Sequence, residues 1–187
     1  MRRINLSIIV LLAFGSVVAA QESERSNYAG QKRHAIKALT PEEIEQLLGG
    51  QGMGLAKAAE LNHYPGPRHV LDLAAQLQLT KEQRERTQQA FDQMRAQAVR
   101  LGQQIVERER ELDAEFAGGR IDSRKLHAAT AEIAKLQGAL RAAHLQAHLE
   151  MRHLLSPEQT KKYDDLRGYA TTGKQAPKPP DHGHGKH

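Results

Sequence analysis

The chain has no cysteine and no tryptophan among its 187 residues, and only three phenylalanines and four tyrosines. Without Cys there can be no disulfide framework, thiol nucleophile, Cys-ligated zinc or iron–sulfur cluster. His, carboxylate and Met side chains are the metal ligands that remain. The shortage of aromatics and strand formers argues against a β-sandwich or a large α/β enzyme, and the length allows one or at most two domains with a modest core. What is present fits an all-α protein. A charged fraction of 26% and a mean hydropathy of -0.63 are ordinary for a folded soluble chain, which confines disorder to the ends.

Long apolar runs are also scarce; there is one, at the start. Arg2 and Arg3 precede an apolar stretch over residues 6–18, interrupted by Ser7, Gly15 and Ser16, and Val18-Ala19-Ala20 supplies small residues for cleavage. This is the pattern of a secretory signal peptide, residues 1–20, cut before Gln21. The run is shorter than the ~20 residues of a spanning helix, so an uncleaved anchor is the lesser reading, and no later segment could cross a membrane. Export would take the protein out of the cytoplasm. Cleavage would lower the 27 Lys and Arg to 25 against 22 Asp and Glu, a net charge of +3 instead of +5. So small a surplus, outside the cytoplasm, argues against a nucleic-acid partner.

Residues 21–38 are polar and aperiodic and predict a flexible lead-in. Three capping boxes follow, at Leu39-Thr40-Pro41-Glu42-Glu43, Leu79-Thr80-Lys81-Glu82-Gln83 and Leu155-Ser156-Pro157-Glu158-Gln159. In each, a hydroxyl precedes Glu or Gln by three positions, so that hydroxyl and carboxyl or amide satisfy each other's free amides; helices should begin near 41, 81 and 157. Within residues 39–78, the Gly-rich run at 49–54 stops the first helix and Tyr64-Pro65-Gly66-Pro67 forms a turn, leaving room for short helices near 54–62 and 68–77. From 81 to 117 there is no Pro and only Gly102. Phe91, Met94, Ala98, Leu101, Ile105 and Leu112 mark an apolar seam on a rod of about 55 Å. Gly118-Gly119 ends it, and Asp122 or Ser123 caps a second rod running to about Leu154 with Leu126, Ile133, Leu136, Leu140 and Ala147 in the same rhythm. So short a link makes the two rods an antiparallel hairpin, the spine of a domain over residues 79–169. Leu145 and Leu149 fall off that seam and need another cover. Residues 170–187 are Pro-, Gly- and His-rich and predict a disordered tail.

Paired Leu-Thr/Ser-x-x-Gln boxes, formed by Leu79, Thr80 and Gln83 and by Leu155, Ser156 and Gln159, flank this hairpin behind a signal peptide. In this the chain resembles the Spy/CpxP family of periplasmic stress proteins, whose superfamily includes zinc-resistance-associated proteins and heavy-metal sensors. The resemblance covers about residues 68–169; Ser156 departs from the Thr of the LTxxQ motif, and the first box ends in Glu43. It implies a thin, cradle-like helical homodimer that holds unfolded or misfolded envelope proteins without ATP. Some relatives instead bind zinc, copper, nickel or cobalt, and others contact the periplasmic domain of a sensor kinase.

His144 and His148, at i and i+4, share one helix face and can reach one metal ion, but zinc would need two further ligands. The competing reading is a pair of surface histidines beside the seam. His153 and Glu150 lie well around the helix, and His127 is more than four turns away. His182, His184 and His187 in the tail form a mobile cluster suited to weak capture of zinc, copper or nickel, at an entropic cost. His63 and His69 are expected to pack around the Pro-Gly-Pro turn with Tyr64. No strand precedes the Gly-rich run and no Gly-Lys-Ser/Thr follows it, so a phosphate loop is not expected there. Glu107 and Glu111 alternate with Arg108 and Arg110 as on a solvated face, and no Ser has a credible His and acid partner, so an enzyme is not expected. The resulting expectations are an ATP-independent chaperone or envelope-stress adaptor whose rim includes Arg84, Arg86, Arg95 and Arg100, a periplasmic metal-binding sensor or resistance protein, and a purely structural oligomer. No cofactor is required by the first.

Overall fold

The computed structural model describes Ser26 and residues 28–169, so the expected signal peptide and the expected disordered tail lie outside the described residues. After a 3-10 turn at Ala29–Arg33 come six α-helices: α1 (Pro41–Leu48), α2 (Lys57–Glu60), α3 (Pro67–Asp72), α4 (Lys81–Ala117), α5 (Ser123–Leu154) and α6 (Pro157–Arg167). No strand occurs among the described residues, and the fold is all-α. The six helices belong to one compact unit that begins at Arg33.

All three capping boxes form, with Thr40, Thr80 and Ser156 accepting from the amides of Glu43, Gln83 and Gln159. The two long helices start and stop where their signals stand. Gly118 caps α4, Gly119 takes the left-handed φ of +62° that reverses the chain, and the Asp122 carboxylate accepts from the Lys125 amide to open α5. The rods run antiparallel: at the tip Lys125 Nζ reaches Glu115 at 2.7 Å, and at the base Gln83 Nε2 donates to the Leu154 carbonyl at 3.1 Å.

Two clusters fill the interior. In one, Ala98, Ile105 and Val106 of α4 pack with Leu136 and Leu140 of α5, and Leu47 of α1 closes over them. In the other, Val70, Ala74 and Leu77 join Leu79, Ala90, Met151, Leu155 and Tyr163 at the hairpin base. The seam expected on α4 is therefore only partly right. Phe91, Met94, Leu101 and Leu112 are half-buried, whereas Thr87, Ala90, Gly102 and Val106 are buried, because α4 is covered by α1 and α3 as well as by α5. Gly102 shows why a residue with poor helix propensity sits mid-rod. A Cβ there would lie 2.0 Å from the Leu47 carbonyl oxygen, so only glycine lets the end of α1 rest on α4.

Three expectations need correction. Ile36, within the stretch expected to be flexible, is 1% exposed in the first cluster, and Lys37 holds Asp113 at 2.8 Å, so order begins well before residue 39. The short helices are shorter than 54–62 and 68–77. Met53, Gly54, His63 and Gln78 take positive φ, and turns replace helix after Asp72 so that Ala74 and Leu77 can both enter the core. Finally, Leu149 stays exposed and Leu145 half-buried, so no short helix fully covers the stripe they form.

Candidate functional site

The segment after α2 is short, polar and tightly tied. Glu60, the last residue of α2, places Oε1 where it accepts from the hydroxyls of Tyr163 at 2.5 Å and Tyr169 at 3.2 Å, with Arg167 Nε at 3.4 Å. Three of the chain's four tyrosines, Tyr64, Tyr163 and Tyr169, meet around this turn. Tyr163 is fully buried, and burial together with the Glu60 carboxylate pushes its phenol well above the usual tyrosine range, so it remains a donor. Of the turn histidines, His63 is exposed and His69 half-buried, and each stands beside a carboxylate. His63, at φ +67°, sets Nδ1 2.7 Å from Asp164 Oδ2, and His69 stands 3.7 Å from Asp72.

His148 meets this turn from α5. Its Nδ1 lies 2.8 Å from the Tyr64 carbonyl oxygen, which can only accept, so Nδ1 carries a proton and Nε2 is the ring atom left to face a ligand. Glu60 Oε2 is 3.7 Å from the same Nδ1. A Cβ on Gly66 would stand 2.9 Å from His148 Cε1 and 3.1 Å from Nε2; glycine is what allows the turn to close on the ring.

One helical turn earlier sits His144. The expectation of two surface histidines does not hold: His144 is 5% exposed and the His148 side chain 11% exposed, because residues 60–66 fold over this face of α5. Burial first, and the His148 charge second, push the His144 pKa below the ordinary histidine value, so its ring is neutral at pH 7. Its Nε2 is buried and has no hydrogen-bond partner. Such an atom carries a desolvation cost that a ligand could relieve.

Both rings line a cleft of about 790 Å³. Its walls include the Gly-rich loop at 49–54, Leu61, and the half-buried Phe91 and Met94. Two imidazoles on adjacent turns, one with its Nδ1–H anchored on a carbonyl, match the way proteins prepare Nε2 as a metal ligand. No group of three or more His, Asp or Glu able to hold a metal occurs among the described residues. Glu150, His153 and His127 are exposed and take no part, while His182, His184 and His187 lie outside the described residues. Glu60, Tyr163, Asp164, Arg167 and Tyr169 were not singled out from sequence for this site. Glu60 and Tyr163 are 103 positions apart, and the only advance sign was the rarity of tyrosine in the chain.

No helix among the described residues is long and apolar enough to cross a membrane. A family model for heavy-metal resistance matches residues 52–162, from the Gly-rich loop through most of α6. That family includes Spy/CpxP-like and zinc-resistance-associated proteins. No curated protein and no solved structure gave a match.

Proposed function

The chain belongs to the heavy-metal-resistance family, and from that premise we propose that it is an exported, non-enzymatic binding protein that takes up a transition-metal ion through His144 and His148. The observation that carries this reading is the partnerless, buried Nε2 of His144 one turn from a His148 ring already oriented by the Tyr64 carbonyl. Imidazole suits zinc, copper, nickel and cobalt better than magnesium or calcium. Two imidazoles leave coordination positions open, which water or His182, His184 and His187 of the tail would fill. The ion is cargo or signal rather than a resident cofactor. The signal peptide pattern and the family's typical export support a periplasmic location.

Calorimetric titration of the mature protein with zinc, copper, nickel and cobalt tests the site. His144→Ala with His148→Ala should weaken binding on the order of tenfold or more, at least the cost of losing an outer-shell partner. Deletion of residues 181–187 should remove a separate, weaker phase. Indistinguishable isotherms for the wild type and the double variant would remove the helix site.

A second reading rests on a different observation. Met53 and Leu61 are 40% and 51% exposed at the cleft, beside Phe91 and Met94, and adaptable Met and Leu surfaces suit loosely specified peptide partners. This is the chaperone or stress-adaptor role, with unfolded envelope proteins or a sensor kinase as partner and a homodimer as the working form. Stoichiometric protection of a denatured client from aggregation would support it, and unchanged aggregation would remove it.

A further inference from the structure

The cleft that holds the two histidines is strongly one-sided in charge. Lys57 from α2, Arg68 from α3, Arg95 from α4 and Arg167 at the end of α6 line it, and the single acid among the lining residues, Glu60, is already engaged by Tyr163, Tyr169 and Arg167. Lys57, Arg68 and Arg95 are exposed and make no ion pair or side-chain hydrogen bond among the described residues, unlike Lys37, Arg108, Arg110 and Lys125, which all find carboxylates. The Gly-rich loop adds donors of a second kind. Gly50, Gln51, Leu55 and Lys57 spend their amides on backbone carbonyls, but the amides of Gly52, Met53 and Gly54 donate to no protein acceptor among the described residues. Consecutive left-handed residues at Met53 and Gly54, φ +45° and +73°, hold that stretch open. The loop is braced against α4: a Cβ on Gly50 would meet the Arg95 carbonyl at 3.1 Å and Val99 Cγ2 at 2.9 Å.

Between these donors the walls are apolar, with Leu61, Phe91 and Met94 facing one cavity whose size is that of a small-molecule site. We propose that the cleft binds a small amphiphilic carboxylate, its anion held by Lys57, Arg68, Arg95 and the free loop amides and its apolar body against Phe91, Met94 and Leu61. Cations in a concave, partly apolar site act at lower effective dielectric than on an open surface, which concentrates anions there. The apolar wall distinguishes this ligand from inorganic phosphate or sulfate, for which the Met, Leu and Phe side chains offer nothing. The inference does not depend on metal uptake at His144 and His148, because it concerns the cations and loop amides and not the imidazoles.

The test is titration of the metal-free mature protein with octanoate, followed by amide chemical shifts, with octanol and inorganic phosphate as controls. Octanoate should give saturable shifts at Gly52, Met53 and Gly54 that weaken with added salt, while octanol and phosphate each bind about tenfold or more weakly. Arg68→Gln with Arg95→Gln, both exposed and without structural partners, should lower octanoate affinity roughly tenfold with unchanged thermal stability. Equal binding of octanol and octanoate, binding of phosphate as tight as octanoate, absence of shifts in the loop, or an unaffected double variant would each overturn the proposal.

Discussion

The box that opens α1 and the two that open α4 and α6 share one local geometry but do different work. At the first, Glu43 accepts from the Thr40 amide at 2.8 Å and stops there, exposed to water. At the others the third residue is glutamine, whose amide can accept and donate at once. Gln83 and Gln159 each accept from their own cap amide, at 3.2 and 3.0 Å, and then exchange hydrogen bonds with one another at 2.8 and 3.0 Å. Their remaining donors reach the carbonyls of Leu154 and Leu77 at 3.1 and 3.2 Å. A carboxylate could do the first job but not the second. Glutamine thus turns two helix caps into a clasp joining the start of α4, the end of α5, the start of α6 and the turn after α3.

The strongest way to break this contrast is to put carboxylates in the clasp. Gln83→Glu with Gln159→Glu sets two partly buried anions against each other and against two carbonyls, and should cost about 4 kcal/mol in urea unfolding at pH 7. Part of that loss should return on acidification, because a protonated carboxyl can donate again. Gln159→Ala alone, which leaves the Leu77 carbonyl and Gln83 short of partners, should cost about 2 kcal/mol by the same measurement. The cap hydroxyls should behave alike in all three boxes, Thr40→Ala, Thr80→Ala and Ser156→Ala each costing about 1 kcal/mol. Glu43→Gln should change stability by less than about 0.5 kcal/mol, since nothing stands opposite it.

A pH profile separates the clasp from the buried histidine. The folded-state pKa of His144 lies below its unfolded value, so folding stability is undiminished above the unfolded pKa, near 6.5, and falls as pH drops from there toward the folded pKa. His144→Gln should flatten that part of the profile in equilibrium unfolding at a series of pH values. The clasp variants should leave this part of the slope in place.

The contrast also marks what a sequence can disclose. Caps, glycine stops and the i,i+4 histidines are local, and residues within four positions define them; accordingly α1, α4, α5 and α6 start where the boxes and Asp122 stand. The clasp joins residues 76 apart and the Glu60–Tyr163 bond residues 103 apart, and no local pattern announces either. The spacing of His144 and His148 was visible, but their burial was not, because it depends on where a turn more than eighty residues upstream comes to rest. Ile36 and the shortened α3 escaped for the same reason: long-range packing overrode a polar composition in one case and an apolar periodicity in the other.

On the function proposed above, His144 and His148 together receive a metal ion. Nitrogen-15 spectra of the imidazole rings, recorded as zinc is added to the mature protein, test it most directly. Nε2 of both His144 and His148 should shift strongly while Nδ1 of His148 keeps its proton and goes on donating it to the Tyr64 carbonyl. Zinc-dependent shifts confined to His182, His184 and His187, with both α5 rings unmoved, would contradict it.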